Sequence, residues 1–535
     1  MLQLRALLSV TATLWASTAF AQSAPPFQLN TILLETTIGG DNTVDVDSED
    51  IARQNPADIQ DLFKGEPTLT VGSSIPASQK LYVNGVEETN LSVTIDGARQ
   101  NNKIFHHSAT TLIDPTLLKA VRIDPGVAPA DAGAGALAGS IAYETRDVED
   151  LLDKALSFGG FVKVEYDSNG DTFTNSGSIY GRKGGFEYLG YLKIADGDLR
   201  KDGVGTTIIG SGTNLISGLG KLAYQTEKGD RFELSVEQVK DDDARPYRAN
   251  IGQIRGGRPV PLTRNYELTR QNIVFTYTDE APTGWWDPTF KLAYSETDLI
   301  IDEDTQFSQG TTKSFNGKIE NRFTVANGSV NAGVDFYSES ATLDYRFLAD
   351  SASDEGGTEK TRNIGVFAQA RLEPSDRTRL SFGLRADFQK FTNVQGVTTS
   401  DNGVSGNVSG AFDITDQITI STGYSNIWGG VPLAENFIIN PGWTYPTGGI
   451  MAVTSENIFI AANADFGAWD ISGKIFRTDI NNARTPNYRR GPDQRADLET
   501  RGFELGLGYA WGNGSARIGY ANVESDLNGR PADSF

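Results

Sequence analysis

The chain of 535 residues has no cysteine, two methionines and two histidines, and the histidines are adjacent, His106 and His107. Without cysteine there is no disulfide framework, no thiolate zinc site and no cysteine nucleophile. With both histidines confined to one early segment, no Ser-His-Asp arrangement can form in the later part of the chain. No G-x-x-x-x-G-K-[ST] run is present, so nothing marks an ATP site. No apolar run of about 18 residues follows Ala21, so no transmembrane helix is predicted. Base is scarce relative to acid, at a net charge of −22, which argues against a nucleic-acid partner.

What is present divides into four parts. Residues 1–21, MLQLRALLSVTATLWASTAFA, carry one basic residue, Arg5, then a short apolar stretch and the ending Ala19-Phe20-Ala21. This is the pattern of a secretory signal peptide. A buried N-terminal helix is the alternative. Residues 22–50 form a polar leader with one hydrophobic strip, TILLETTI, inside 29–38. Such a strip suits strand addition to a partner protein, or equally a short edge strand.

Residues 51–152 read as a compact α/β unit. ADIQDLFKGEP has helical spacing, and KLYVNGV and LSVTIDG are strands closed by Asn-Gly and Asp-Gly. DPTLLKAVRID predicts a short helix capped by Asp114 with Pro115 at its first position, then a strand. The run GAGALAG lacks the strand–loop–helix context of a phosphate cradle and reads as a tight backbone turn.

From residue 153 to 535 the texture is period two. Phe232, Leu234 and Val236 alternate with Arg231, Glu233, Ser235 and Glu237. Leu380, Phe382, Leu384, Ala386 and Phe388 alternate with Ser381, Gly383, Arg385 and Asp387, and Ile418, Ile420, Thr422 and Tyr424 share one face. Strands with one oily face fit a sandwich or a barrel. The connections favour the barrel, because tight turns (RKGG, EKGD, ANGS, TDQ, WGNG) alternate with long polar loops. Trp285 and Trp286 suit an interfacial aromatic girdle. The expected fold is therefore an all-β transmembrane barrel preceded by an α/β domain. Roughly seventeen strands are expected between 155 and 525. Asp241, Asp242 and Asp243 read as part of a solvated loop, since they lack the spacing of a calcium loop.

Signal peptide, pairing strip, α/β unit and large barrel, in that order, resemble the TonB-dependent outer-membrane receptors. TILLET (Thr31, Ile32, Leu33, Leu34, Glu35, Thr36) resembles their TonB box. ADIQDLFKGEPTLTV resembles the start of their plug, LYVNGVEETNLSVTIDGARQ its middle, and LLKAVRIDPGVAPADAGAGALAGSIAYETRD its end. SNIWGGVPLAENF and the run after it resemble a late-barrel segment. DPGVAP and VNGV depart from the usual plug pattern.

The resemblance implies a plug seated inside the barrel lumen, and a 22-stranded barrel of which about five strands lie beyond this chain. It also implies a place in the Gram-negative outer membrane, with lipid, TonB and an extracellular metal chelate as partners. The implied activity is TonB-driven import of an iron complex, haem or a ferric siderophore, with no intrinsic cofactor and no catalysis. A nickel or cobalamin-type chelate and a passive channel are the alternative readings.

Within that family His106 and His107 fall on a plug loop climbing outward, where an imidazole suits haem iron or another transition metal. The plain alternative is a loop histidine bonding plug to barrel wall. Tyr445, beside Trp443 in NPGWTYPTGG, is a candidate second ligand. Arg231 and Arg385 would face the lumen, toward plug acids or an anionic chelate.

Overall fold

The computed structural model describes residues 43–101, 103–104, 107–249, 262–349, 354–485, 487, 491–512 and 514–532. The expected signal peptide, the strip 29–38 and His106 lie outside the described residues.

The first domain holds a five-stranded sheet in the order β1-β7-β8-β5-β6 and a three-stranded sheet β2-β3-β4. Its strands are β1 (Val44–Val46), β2 (Leu69–Gly72), β3 (Lys80–Val83), β4 (Val86–Glu87), β5 (Ser92–Ile95), β6 (Ala98–Arg99), β7 (Leu118–Pro125) and β8 (Gly139–Thr145). Its sheet thus takes in Val44, ahead of the expected start at residue 51. Asn84-Gly85 and Asp96-Gly97 all have positive φ (51°, 79°, 52° and 96°), the mirror-image turn that closes tight hairpins. The helix expected over ADIQDLFKGEP is a single turn, Ile59–Leu62, capped by Asp58. Gly65 and Pro67 close behind it leave no room for a longer one. Asp114 caps Pro115–Leu117 as expected, its carboxylate accepting from the Thr116 N–H at 3.1 Å.

The second domain is one antiparallel sheet of eighteen strands, from β9 (Phe158–Asp167) to β26 (Arg530–Pro531). Seventeen are long, matching the sequence count, and the last has two residues. The strands stand in cyclic order, and paired registers run unbroken from β9 to β26.

The period-two reading holds. Leu380, Phe382, Leu384 and Phe388 of β19 (Thr378–Thr392) are exposed on the outside, whereas Ser381, Arg385 and Asp387 are buried toward the lumen. A face of leucine and phenylalanine turned outward is stable only against lipid. Trp285 and Trp286 are 77% and 61% exposed beside a strand end. Two-residue turns such as Gly184–Gly185 mark one rim, and connections such as 198–212 and 431–452 mark the other. Strands reach 21 residues, as in β18 (Glu355–Ser375), about twice the length that crosses a bilayer.

That extra length accounts for one correction. Asp241, Asp242 and Asp243 are not in a loop but at the end of β13 (Asp230–Pro246), and Asp241 is buried, accepting from Arg245 at 2.6 and 3.1 Å.

The first domain sits in the lumen. Ile427, Val453 and Ile480 of the wall complete its apolar core around Leu81, Val83, Val86, Leu118 and Ile123. Ion pairs tie it to the wall: Asp131 with Arg371 at 2.8 and 2.9 Å, Arg99 with Glu339 at 3.0 Å, Asp114 with Lys193 at 3.0 Å and Asp147 with Lys221 at 2.7 Å. Burial opposes ionisation of Asp131, but bonds from Arg371 outweigh it and hold the carboxyl below the usual range.

Candidate functional site

The candidate site is the plug's outward end, where the described residues of 100–112 meet the barrel wall and the segment 431–452. Gln100 and Asn101 reach the wall through Asn272 (3.1 Å) and Glu339. The chain then rises through Lys103 and Ile104, and the His107 N–H closes a turn onto the Ile104 carbonyl at 3.1 Å.

His107 is buried, 6% exposed. Its Nδ1 lies 2.9 Å from the Tyr266 hydroxyl on β14 (Thr263–Asp279), and its ring packs against Phe437 with centroids 4.5 Å apart. Tyr266 in turn donates to the Tyr247 carbonyl at 3.1 Å and accepts from Arg264 at 3.0 Å. The imidazole therefore bonds plug to barrel wall, the plainer of its two sequence readings. While that bond holds, Nε2 is the ring nitrogen that metal chemistry would have to use.

Trp443 and Tyr445 lie in the segment after β21 (Ile418–Gly430), which folds inward rather than out. Val431, Leu433, Ala434, Ile439, Trp443 and Ile450 form an apolar cluster against the wall. Glu359 organises its base. It is fully buried and accepts from Arg484 at 2.7 and 2.8 Å, from the Ala434 N–H at 2.7 Å and from the Tyr445 hydroxyl at 2.5 Å. Burial and the neighbouring Glu359 carboxylate push the Tyr445 phenol up, away from the phenolate that iron prefers. The ring partners of His107 named above are Tyr266 and Phe437; Trp443 and Tyr445 instead pack with each other, centroids 6.4 Å apart.

The segment touches the plug directly. The Asn436 N–H donates to the Lys103 carbonyl at 2.6 Å, and the Asn436 side chain accepts from Thr312 at 3.2 Å. Burial raises the Glu435 carboxyl to about 8 and lowers the Lys103 ammonium. Sequence reading missed Tyr266, Phe437, Glu435 and Lys103. Glu435 and Phe437 lie in VPLAENF, a run noticed only as a whole, and Tyr266 is one inward residue among many in an alternating strand.

Two lumen arginines differ from their expected use. Arg231 bonds Glu187 at 2.7 Å and Glu233 at 3.1 Å, and Arg385 bonds Asp335 and Asp387. Both pair with acids of the wall, whereas Arg371 and Arg99 make the plug contacts.

Comparison with known proteins places this architecture. The model for the TonB-dependent receptor plug domain matches residues 37–140, and that for the TonB-dependent receptor-like β-barrel matches 206–534. The heme transporter BhuA of Brucella ovis is 31% identical over 474 residues, covering 86% of this chain and 70% of that protein. A hemin receptor of Yersinia pestis is 26% identical over 280 residues, 50% of this chain and 40% of its own. Among solved structures, the FrpB iron transporter from Neisseria meningitidis (F3-3 variant) superposes with a TM-score of 0.80 at 19% identity, over 90% of this chain and 79% of that one. The Serratia marcescens hemophore receptor HasR, in complex with HasA and heme, gives 0.74 at 18% identity, over 90% and 81%. With both domain models matched in order along one chain, the protein belongs to the TonB-dependent receptor family.

Proposed function

We propose that this receptor imports haem across the outer membrane, reached through the signal peptide 1–21, with a ferric siderophore as the nearest related cargo. The similarity to a heme transporter over 86% of the chain carries the reading. The geometry supports it. A barrel this wide would leak, and the plug fills the lumen through buried ion pairs and a shared apolar core. Passage then requires the plug to shift, which needs work from outside the chain. We assign that coupling to the strip Thr31–Thr36, captured by TonB through strand addition, with the proton-motive force as the source.

Cargo contacts fall at the plug's outward end. Iron ligation is assigned to one of the pair His106 and His107, adjacent side chains that point apart on an extended chain, and through Nε2 where it is His107. Trp443 and Tyr445 are assigned to holding the inward fold of 431–452 rather than to iron.

Deleting residues 29–38 tests the reading. Hemin binding to the purified receptor, followed by its Soret band, is expected to persist, while growth on hemin as iron source is lost. Unchanged growth on hemin would point to passive diffusion instead, and loss of binding would show that the deletion acts on the fold.

A further inference from the structure

The lipid-facing side of the barrel changes character at one level. On β19 the alternate residues from Leu380 to Phe388 cover about 27 Å of strand, or roughly 20 Å of height at the usual tilt, close to the ~25 Å apolar band of such barrels. The next residue on that face is Lys390, which is exposed. On β18 the same face runs through Ala368, Val366 and Ile364 to Arg362 and then Lys360, both exposed. The tight turn from Ser375 to Thr378 joins these two strands at the opposite rim. The three cations therefore stand where the apolar band ends, toward the long connections and the outside.

The register brings them together. Arg362 lies directly opposite Lys390, and Lys360 opposite Thr392 one step along the same face. Opposed residues of an antiparallel pair stand about 5 Å apart at Cα, and same-face neighbours along a strand about 7 Å, within reach of these long side chains. The residues opposite them on β17 (Gly328–Phe347) and β20 (Thr398–Asp413) are Ser338, Ser340 and Ser400. None of the three cations makes an ion pair among the described residues. Asp401, the nearest acid in register on β20, pairs instead with Gln389, whose side chain is buried on the lumen face. Other outward cations just beyond the apolar runs of their own strands are matched: Lys240 with Glu267 at 2.9 Å, Lys313 with Glu296 at 3.4 Å and Arg477 with Asp479 at 2.9 Å. Like charges directly opposite in a ladder repel. In a chain of net charge −22, this cluster is held without an acid of its own, so its counter-charge comes from outside the chain.

We propose that Lys360, Arg362 and Lys390 form a binding site for the phosphate groups of the outer-leaflet glycolipid. The chemistry and the height both fit. A guanidinium grips phosphate through two parallel N–H bonds, lysines add point charge, and serine hydroxyls can donate to the remaining oxygens. The headgroup phosphates of a bilayer lie at the edge of its apolar band, which is the level these side chains occupy. The acyl chains of the same lipid then lie along Ile364, Val366, Leu384 and Phe388, all exposed directly below. The site is on the outside of the wall, away from the plug, and does not depend on which cargo the receptor carries.

The test uses lipid A, with its phosphates and after enzymatic dephosphorylation, added to the full-length receptor in mild detergent and read by native mass spectrometry. The unaltered receptor is expected to hold the phosphorylated lipid at least about tenfold more tightly than the dephosphorylated one. Lys360→Gln, Arg362→Gln and Lys390→Gln together are expected to erase that preference, and Lys360→Arg with Lys390→Arg to keep it. Lys240→Gln, Lys313→Gln and Arg477→Gln together remove as many outward cations, each from a matched pair, and are expected to leave it unchanged. Equal retention of the two lipids by the unaltered receptor overturns the site whatever the variants do. A preference that survives the first triple variant, or that is lost equally in the second, overturns its placement on these residues. Full competition by inorganic phosphate, or equal retention of phosphatidylglycerol, overturns the assignment to the glycolipid.

Discussion

At the scale of single residues the plug carries unusual acids. Glu88 is fully buried, accepting from the Leu81 N–H at 3.2 Å and from Thr111 at 3.1 Å, and burial raises its carboxyl to about 7. In the unfolded chain it titrates near 4.5. Between those values the folded plug holds a proton that the unfolded chain has released, so plug stability falls as pH rises through that window. The full effect is on the order of 3 kcal/mol for a shift of this size. Glu88→Gln is expected to flatten the fall between pH 5 and 8, measured as the denaturant midpoint of a plug-specific probe. An unchanged slope would show that Glu88 is not the titrating group. The histidines give a second prediction at this scale. Replacing His106 and His107 together by alanine is expected to weaken hemin at least about tenfold, a loss of 1.4 kcal/mol or more. Tyr266→Phe removes the partner of His107 Nδ1 and is expected to change the position of the Soret band more than the affinity. An unaltered Soret spectrum in the double variant removes histidine ligation from the mechanism.

At the scale of elements the strands follow one rule, alternation, and it makes a sharp prediction. Leu384 is 66% exposed at the centre of the apolar face of β19, and its neighbour Arg385 is 3% exposed on the lumen face. Leu384→Arg places a charge in lipid and is expected to cost about 2–4 kcal/mol if it lies at the midplane, less toward either rim. Measured by folding into vesicles, the same change at lumen-facing Ser381 is expected to cost less. The barrel was legible in the sequence because this alternation is local: each residue's side of the wall follows from its neighbours. The Asn84-Gly85 and Asp96-Gly97 turns and the Asp114 cap were legible for the same reason. The site was legible only in outline. The sequence marks His106–His107 as unusual, but that His107 meets Tyr266 depends on strand tilt and on how deep the plug sits. Neither leaves a trace within a few residues of either side chain. The inward fold of 431–452 was equally hidden, since its anchor, Glu359, lies far away in β18 as one inward acid among several. The continuation of β13 through Asp241–Asp243 went unread because acidity reads as loop when the strand's extension beyond lipid is not known.

At the scale of the whole molecule the plug must be held firmly enough to seal the lumen and loosely enough to be moved. The structure separates those needs. The Gly-rich run 133–139 is shaped by close approach: Gly139 has φ 118°, and a Cβ there would sit 2.1 Å from the Asp124 carbonyl oxygen. Against the wall, holding is shared between ion pairs and the apolar core that Ile427, Val453 and Ile480 complete. Asp131 bonds Arg371 twice, and Asp147 bonds Lys221 at 2.7 Å and Lys119. Breaking one partner of such a pair leaves a charge facing the seam between plug and wall, at a cost of about 3–5 kcal/mol where the pair is fully buried and less where water reaches it. Asp131→Ala and Asp147→Ala together are thus expected to loosen the plug without touching the strand ladder. The measurable consequence is leakage. Single-channel recordings in planar bilayers should show larger and more frequent openings than the unaltered receptor. Cells carrying the variant should become sensitive to antibiotics too large for porins, while the heat-resistant β-sheet signal of the barrel stays unchanged. Restoring opposite charge by exchanging Asp131 and Arg371 for one another should close the lumen again if pairing is what seals it. A variant that stays sealed after losing both acids would place the seal in the apolar core around Leu81, Val83 and Ile123, with the ion pairs setting only the plug's orientation.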